Sequence, residues 1–482
     1  MTNTFAIDVI QTFSQEEYVA FRDFLASPYF NNNQYAESIG PFFEIIYEAV
    51  QTENIKILEK EEIYAKLFPD KPFIESKIDK LMSETKRLLE RFILTQKYFA
   101  ASNQPQQSLD MAAEMRLRGI EKRYFQALDK AKNYSNNLQL TALDNVLYKY
   151  MTAKEEQEWL ITYNNSKSDL NIPQTIRSLE DHYYAQKTWM INHLLLVVQG
   201  TVINDSEHDQ FSDWEVPPKY LKSSSFMEIC WDIHLLFKTK IFEIADFKSL
   251  MEKIQRNEPS LDPESIANFY AYLRNLCVLL IDAGNIHFYP ILFELNKDNL
   301  NRGYFYKSGK IYPNACLNIT QTALNVKEVA WASAFVERHK DKITGENETQ
   351  DFYRMNKALC LFSEKKYGQS LEMIPFGSTN SGYHLMARRL ELKIYYELHS
   401  DLLDHKIDAF KMFISRAGRK VFSANLHELF TNFVNFVRQL SQSQGPQAKK
   451  RSQTLIKRIN EKKMVAERLW LLEKAKELGE KR

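Results

Sequence analysis

Apolar positions along this 482-residue chain recur mostly at intervals of three and four, the spacing of a single helix face. The opening is the clearest case. Tyr18, Phe21 and Leu25 step by +3 and +4 behind Ser14 and Glu17, an S-x-x-E pair whose side chains cap each other's backbone N–H groups. Phe13 and Tyr18 supply the accompanying hydrophobic staple, and Pro28 closes the element. A second helix is expected from Pro41, with Phe42, Ile45, Ile46 and Ala49 inward, and a short third one up to Phe68, ahead of Pro69. Ile74, Ile78, Leu81, Thr85, Leu88 and Phe92 then predict a long helix with one seam. Fewer than four clean heptads favour packing within the domain over a continuous coiled coil.

The polar stretch 102–108, with Pro105, reads as a linker, which makes residues 1–101 a small helical domain. Residues 109–445 continue the helical pattern with almost no strand signal. Breaks are expected at 135–137, 164–173, 200–218 and 257–263, with Pro173 and Pro263 at helix starts, where the missing N–H is tolerated. Residues 201–214 read as an exposed loop. Residues 302–310, where Gly303 and Gly309 bracket three aromatics, form either a short hairpin or an irregular connection.

Composition supports the all-α assignment. Gly (13) and Pro (14) are scarce, each about half its usual share of roughly 7% and 5%. Hairpin turns draw on glycine for positive φ, so a large all-β fold could not be built economically. Four cysteines, Cys230, Cys277, Cys316 and Cys360, stand far apart in apolar surroundings and read as buried, reduced thiols of a cytoplasmic protein rather than as paired zinc ligands. Apolar runs such as 194–198 and 276–281 are far short of the ~20 residues that span a bilayer. Residues 1–13 lack the basic and apolar segments of a secretory signal.

A small residue recurs at Ala332, Ser370 and Ala409, at spacings of 38 and 39, each followed by an apolar helical face. A period near forty fits one helical pair per unit, too small to bury its own face, so that neighbours must stack. The passage Ala358-Leu359-Cys360-Leu361-Phe362-Ser363-Glu364-Lys365-Lys366-Tyr367-Gly368-Gln369-Ser370-Leu371 resembles the step from first to second helix in tetratricopeptide-like repeats. A weaker copy runs from Thr320 through Ala323, Leu324, Val329 and Ala332 to Phe335. The family's Trp–Leu–Gly–Tyr signature is absent, the period exceeds its usual length, and Pro375 comes too early to close a repeat. The resemblance covers about residues 265–415. It implies a helical solenoid that binds a protein or peptide on its concave face, with Arg388 and Arg389 as candidate contacts.

Catalytic motifs are not found. Gly303, Gly309 and Lys310 do not have phosphate-loop spacing. His182 and His193 lack a third metal ligand, and Asp401, Asp404, His405 and Asp408 read as a solvated acidic face. His427-Glu428 lacks the second histidine of a zinc-protease motif. No cofactor is expected.

Charge is uneven: residues 447–482 carry +7 and the remainder −6. Lys449, Lys450, Arg451, Lys457 and Arg458 flank an apolar wedge of Leu455, Ile456, Ile459, Ala466, Leu469 and Trp470, which predicts a basic amphipathic helix over 446–482. It caps the solenoid in the first reading, and in others it binds nucleic acid or a membrane surface. The leading expectation is a non-enzymatic scaffold. Nucleic-acid association through the basic helix is the alternative, and an enzyme with a site assembled from several helices is the third.

Overall fold

The computed structural model describes residues 4–52, 58–134, 141–163, 170–198, 211, 213–239, 243–343, 349–375, 381–421, 424–443 and 448–480. These are almost wholly helical and fall into two compact units. The first comprises residues 1–137 and 151–172, the second 138–150 and 173–482.

The first unit contains α1 (Phe5–Ile10), α2 (Gln15–Ala26), α3 (Ala36–Gln51), α4 (Lys60–Leu67), α5 (Glu75–Phe99), α6 (Gln104–Leu117), α7 (Glu121–Tyr134) and the later part of α8 (Ala142–Tyr163). The cap at Ser14 forms as the sequence predicts: Glu17 N–H donates to Ser14 Oγ at 3.2 Å and Ser14 N–H to Glu17 Oε2 at 2.8 Å. The α5 seam is buried from Ile78 to Phe92 against α1–α4, while Ile74 stands outside it as the exposed N-cap. Each fully buried aliphatic or phenyl group contributes ~1.5–3 kcal/mol, so this stripe organises the first core. A second core joins α6, α7 and α8 around Tyr124 and Trp159, whose rings stack at 4.0 Å.

Two expectations are corrected here. Residues 102–108 are not a linker but a 3-10 turn and the start of α6, because Pro105 sits in the first turn of a helix, where it needs no N–H partner. The helix assigned to start at Pro41 begins at Ala36, and the proline lies inside it.

The second unit begins with the early part of α8 and continues through α9 (Ile172–Val198), α10 (Pro218–Leu221), α11 (Ser225–Thr239), α12 (Ile244–Asn257), α13 (Pro263–Asp282), α14 (Phe288–Asn301), α15 (Pro313–Asn325) and α16 (Val329–His339). It is completed by α17 (Thr349–Ser363), α18 (Tyr367–Met373), α19 (Ser381–Glu397), α20 (Leu403–Val421), α21 (Ala424–Gln442), α22 (Ala448–Glu461) and α23 (Arg468–Glu480). Consecutive helices pack as pairs, α13 with α14, α15 with α16, α17 with α18 and α19 with α20. From α15 onward the first helix of one pair also packs on the first helix of the next. Cys230, Cys277, Cys316 and Cys360 are buried on α11, α13, α15 and α17, the first helices of four successive pairs. Burial raises all four thiols, Cys360 to about 11 and Cys316 to about 12.

The turns inside these pairs share one backbone device. Gly284, Lys327, Lys365 and His399 each hold a positive φ. In each case the next residue's N–H reaches back to a carbonyl five positions earlier, as Asn285 does to Leu280 and Lys366 to Leu361. This is the Schellman termination, which satisfies carbonyls at the end of the first helix. Ser370 then lies wholly buried where α18 crosses α17, and its Oγ donates to the Ala358 carbonyl at 2.7 Å. Ala332 is equally buried and, like Ser370, is the fourth residue of its helix. Ala409 does not match them: it is the seventh residue of α20 and exposed, and the buried positions there are Ile407 and Phe410.

Residues 302–310 contribute to a hairpin. Tyr306–Lys307 pairs antiparallel with Lys310–Ile311, and the two-residue turn is made by Ser308 and Gly309, both at positive φ. Residues 199–210, most of the loop expected at 201–214, lie outside the described residues. Trp214 packs near Tyr184, and its indole N–H donates to Thr188.

The basic terminal segment is two helices rather than one. α22 and α23 are separated by residues 462–467, with Glu467 at positive φ. Leu455, Ile459, Ala466 and Trp470 are all buried, but a bend at the break, not one continuous wedge, brings them together. Arg468 folds back across that break and donates to the carbonyls of Ile459, Lys462 and Lys463. Nor does the segment only cover the last pair. Lys327 in the α15–α16 turn reaches Glu473 at 2.8 Å, and the Arg468 guanidinium lies against Gly284, where a Cβ would be 3.2 Å from Cζ.

Candidate functional site

A cleft of about 390 Å³ opens between α13, α14 and α15. Each helix lines it with one stripe at helical spacing. On α13, Arg274, Val278 and Asp282 stand four apart; Tyr289, Leu292 and Asn296 come from α14, and Ala315, Asn318, Ile319, Thr322 and Asn325 from α15. The α13 stripe follows from the composition of its other face. Phe269, Leu273, Leu276, Cys277 and Leu280 are drawn into the core, which turns the intervening Arg274 and Asp282 toward the cleft.

Hydrogen-bonding capacity around this cleft is unmet. The Arg274 guanidinium makes no ion pair or hydrogen bond among the described residues. It rests over the Phe305 ring at 4.4 Å, and Nη1 is enclosed without an acceptor. Burial lowers its pKa to about 10, which leaves it cationic at neutral pH. Asn296 is 3% exposed and its carboxamide has no partner among the described residues. One turn further, both polar atoms of the fully buried Asn299 are also unpaired. An unsatisfied buried polar group costs ~1–3 kcal/mol, so the enclosed Arg274 Nη1 and the Asn299 carboxamide are expensive unless something else completes them.

The other end of the cleft is acidic. Asp282, the last residue of α13, is exposed at the mouth of the cleft. Desolvation pushes its carboxyl up to about 6, against the pull of Arg389. Arg389 is itself engaged: it lies 3.7 Å from Glu467, which also holds Lys393 at 2.8 Å. Burial alone would raise the Glu467 carboxyl, but Lys393 and Arg389 overcome it and hold it down at about 2. Tyr289 sits beside this group, its phenol raised by burial and by Glu467 and Asp282. The cleft thus offers a free cation at one end, a carboxylate at the other, and carboxamides between them. Such a set is suited to holding an extended chain.

The residues singled out from sequence are dispersed. Arg389 belongs to the acidic end through its contact with Glu467, whereas Arg388 lies over Phe413 at 4.9 Å. Lys449, Lys450, Arg451, Lys457 and Arg458 are all exposed on α22. Arg451 and Arg458 donate to Gln442 O and Gln439 Oε1 on α21, and Lys457 lies 3.8 Å from Glu461, which leaves Lys449 and Lys450 without an ion pair among the described residues. Trp470 is not a surface contact: it is buried against Tyr396 and Phe433, and its indole N–H donates to Glu397 at 2.9 Å. His193 is taken by the Tyr272 hydroxyl at 2.6 Å. Asp408 pairs with Arg438. Among the described residues no three His, Cys, Asp or Glu side chains converge as a metal site, and no helix is long and apolar enough to cross a membrane.

Arg274, Asp282 and Asn296 escaped the sequence reading. A signal was present: a lone arginine inside Tyr272-Leu273-Arg274-Asn275-Leu276-Cys277, on the polar side of an otherwise buried helix. Comparisons of the chain with protein-family models, with curated proteins and with solved structures find no match.

Proposed function

We propose that this chain is a scaffold whose second unit, a divergent tetratricopeptide-like stack of helical pairs, receives an extended segment of a partner protein in the cleft between α13, α14 and α15. The observation that carries this reading is the unmet polar lining: Arg274 and Asn296 face a cleft large enough for a short peptide and have no hydrogen-bond partner among the described residues. A bound main chain would supply the missing donors and acceptors. The shared left-handed turns at Lys327, Lys365 and His399, and the packing of first helix on first helix, support the repeat reading.

Selection of a displayed peptide library against the full chain tests it. Selected peptides are expected to lose at least tenfold in affinity by calorimetry when Asn318→Ala and Thr322→Val are introduced on the α15 wall. Peptides that bind these variants and the parent chain equally would overturn the proposal.

A second reading rests on α22, where five exposed cations share one helix with Glu461 as the only acid. Retention of the chain on a polyanion column that falls steeply with salt, and is lost on replacing Lys449, Lys450 and Lys457 by Gln, would favour nucleic-acid association. Retention unchanged by these substitutions would dismiss it.

A further inference from the structure

We infer that the cleft selects a dipolar segment, one that places an acidic side chain on Arg274 and a basic side chain on Asp282. The inference rests on the peptide-binding reading above and names the chemistry of the peptide.

The two poles belong to one helix. Arg274 and Asp282 are eight residues apart on α13, which sets them about 12 Å apart along its axis. An extended chain covers that distance in about three to four residues, at ~3.3 Å each. Between the poles stands Val278, 38% exposed on the same stripe, with the Asn296 carboxamide also lining the cleft. The groups in reach of a ligand therefore run cation, apolar step with carboxamide, anion.

Arg274 pairs with no acid among the described residues, and its guanidinium is seated on Phe305. A carboxylate arriving there would meet a half-buried cation whose Nη1 is enclosed, a setting in which an ion pair gains more than it does in open water. At the far end the cations near Asp282 make their direct contacts with other groups. Arg389 and Lys393 share Glu467, and Arg468 spends its N–H groups on three carbonyls. A second acidic side chain brought to Asp282 would be repelled, so this pole also rejects polyacidic segments.

The test uses the full chain and fluorescein-labelled heptapeptides of otherwise Ala, Ser and Gln residues, carrying one Glu and one Lys separated by three or four positions, in both orders. One order is expected to bind at least tenfold more tightly than peptides in which Glu is replaced by Gln or Lys by norleucine, and than a peptide with Glu at both positions. Arg274→Gln and Asp282→Asn are each expected to remove that advantage. Because Arg274 makes no hydrogen bond among the described residues, Arg274→Gln is also expected to raise the melting temperature while it lowers affinity. Arg274→Met, which keeps the stem over Phe305, is the second variant should glutamine perturb folding. If Asn318→Ala weakens binding but Arg274→Gln and Asp282→Asn do not, the cleft binds peptide without reading charge and the dipolar inference is wrong. If no cleft variant alters the affinity of any peptide, the peptide-binding reading falls with it.

Discussion

Lys393 and Glu467 meet at 2.8 Å, 74 residues apart in sequence, with side chains only 10% and 17% exposed. The pair ties α19 to the start of α23, and Arg389 shares the same carboxylate. Removing the acid leaves two cations in a site that excludes most water. Glu467→Gln is therefore expected to cost about 3 kcal/mol in urea denaturation. The carboxyl is held below its ordinary 4.5, so its contribution is complete above that pH and fades as pH falls toward 2. The gap between variant and parent should narrow over that interval, and a gap independent of pH would contradict the ion-pair account.

Asp282 carries the opposite sign. Its carboxyl is raised to about 6 from an ordinary 3.8, so the folded state binds the proton more tightly than the unfolded state does. Ionisation through pH 6 then destabilises the fold, and the penalty is fully developed at pH 8. Asp282→Asn is expected to raise the melting temperature at pH 8 and to leave it almost unchanged at pH 4. Equal melting temperatures of variant and parent at pH 8 would count against the raised carboxyl.

Lys365 adopts φ of +62° in the α17–α18 turn and is exposed. A side chain at that angle is crowded by its own backbone, whereas glycine is not. Lys365→Gly is expected to stabilise the chain by about 0.5–1 kcal/mol despite the greater freedom of glycine in the unfolded state. Chemical denaturation measures it directly, and a destabilised variant would contradict the turn geometry.

Ser370 and Ala409 should respond oppositely to the same change. Ser370→Leu forces a large side chain into the α17–α18 crossing and is expected to cost about 2–3 kcal/mol. Ala409→Leu places the same group in solvent and is expected to stay within about 0.5 kcal/mol of the parent. Similar losses at both sites would restore Ala409 to the crossing position that the spacing suggested.

Much of the helical plan was legible because it is written in local chemistry. The cap at Ser14, the α5 seam and the proline at the start of α13 each depend on residues within one or two turns. The left-handed turns were hidden because Lys327, Lys365 and His399 occupy positions where glycine or asparagine would have announced them. Spacing alone assigned Ala409 to the wrong side of its helix, since a period of about forty residues does not fix which residue faces the neighbour. The cleft was less legible still. Its stripes come from three helices, and the significance of Arg274 lies in the acid that does not accompany it, a property of the assembled structure. The break at Glu467 was masked because the apolar residues on either side of it also fit a single continuous wedge.

The positions of the four cysteines make the helical pairs their own reporters. Each thiol is sealed inside the first helix of a different pair and held in its unreactive, protonated form. A maleimide can label one only after that pair opens. Labelling followed residue by residue in mild denaturant would therefore reveal whether the pairs unravel one after another from an end or give way together. No foreign probe need be introduced, because Cys230, Cys277, Cys316 and Cys360 already lie in successive helical pairs.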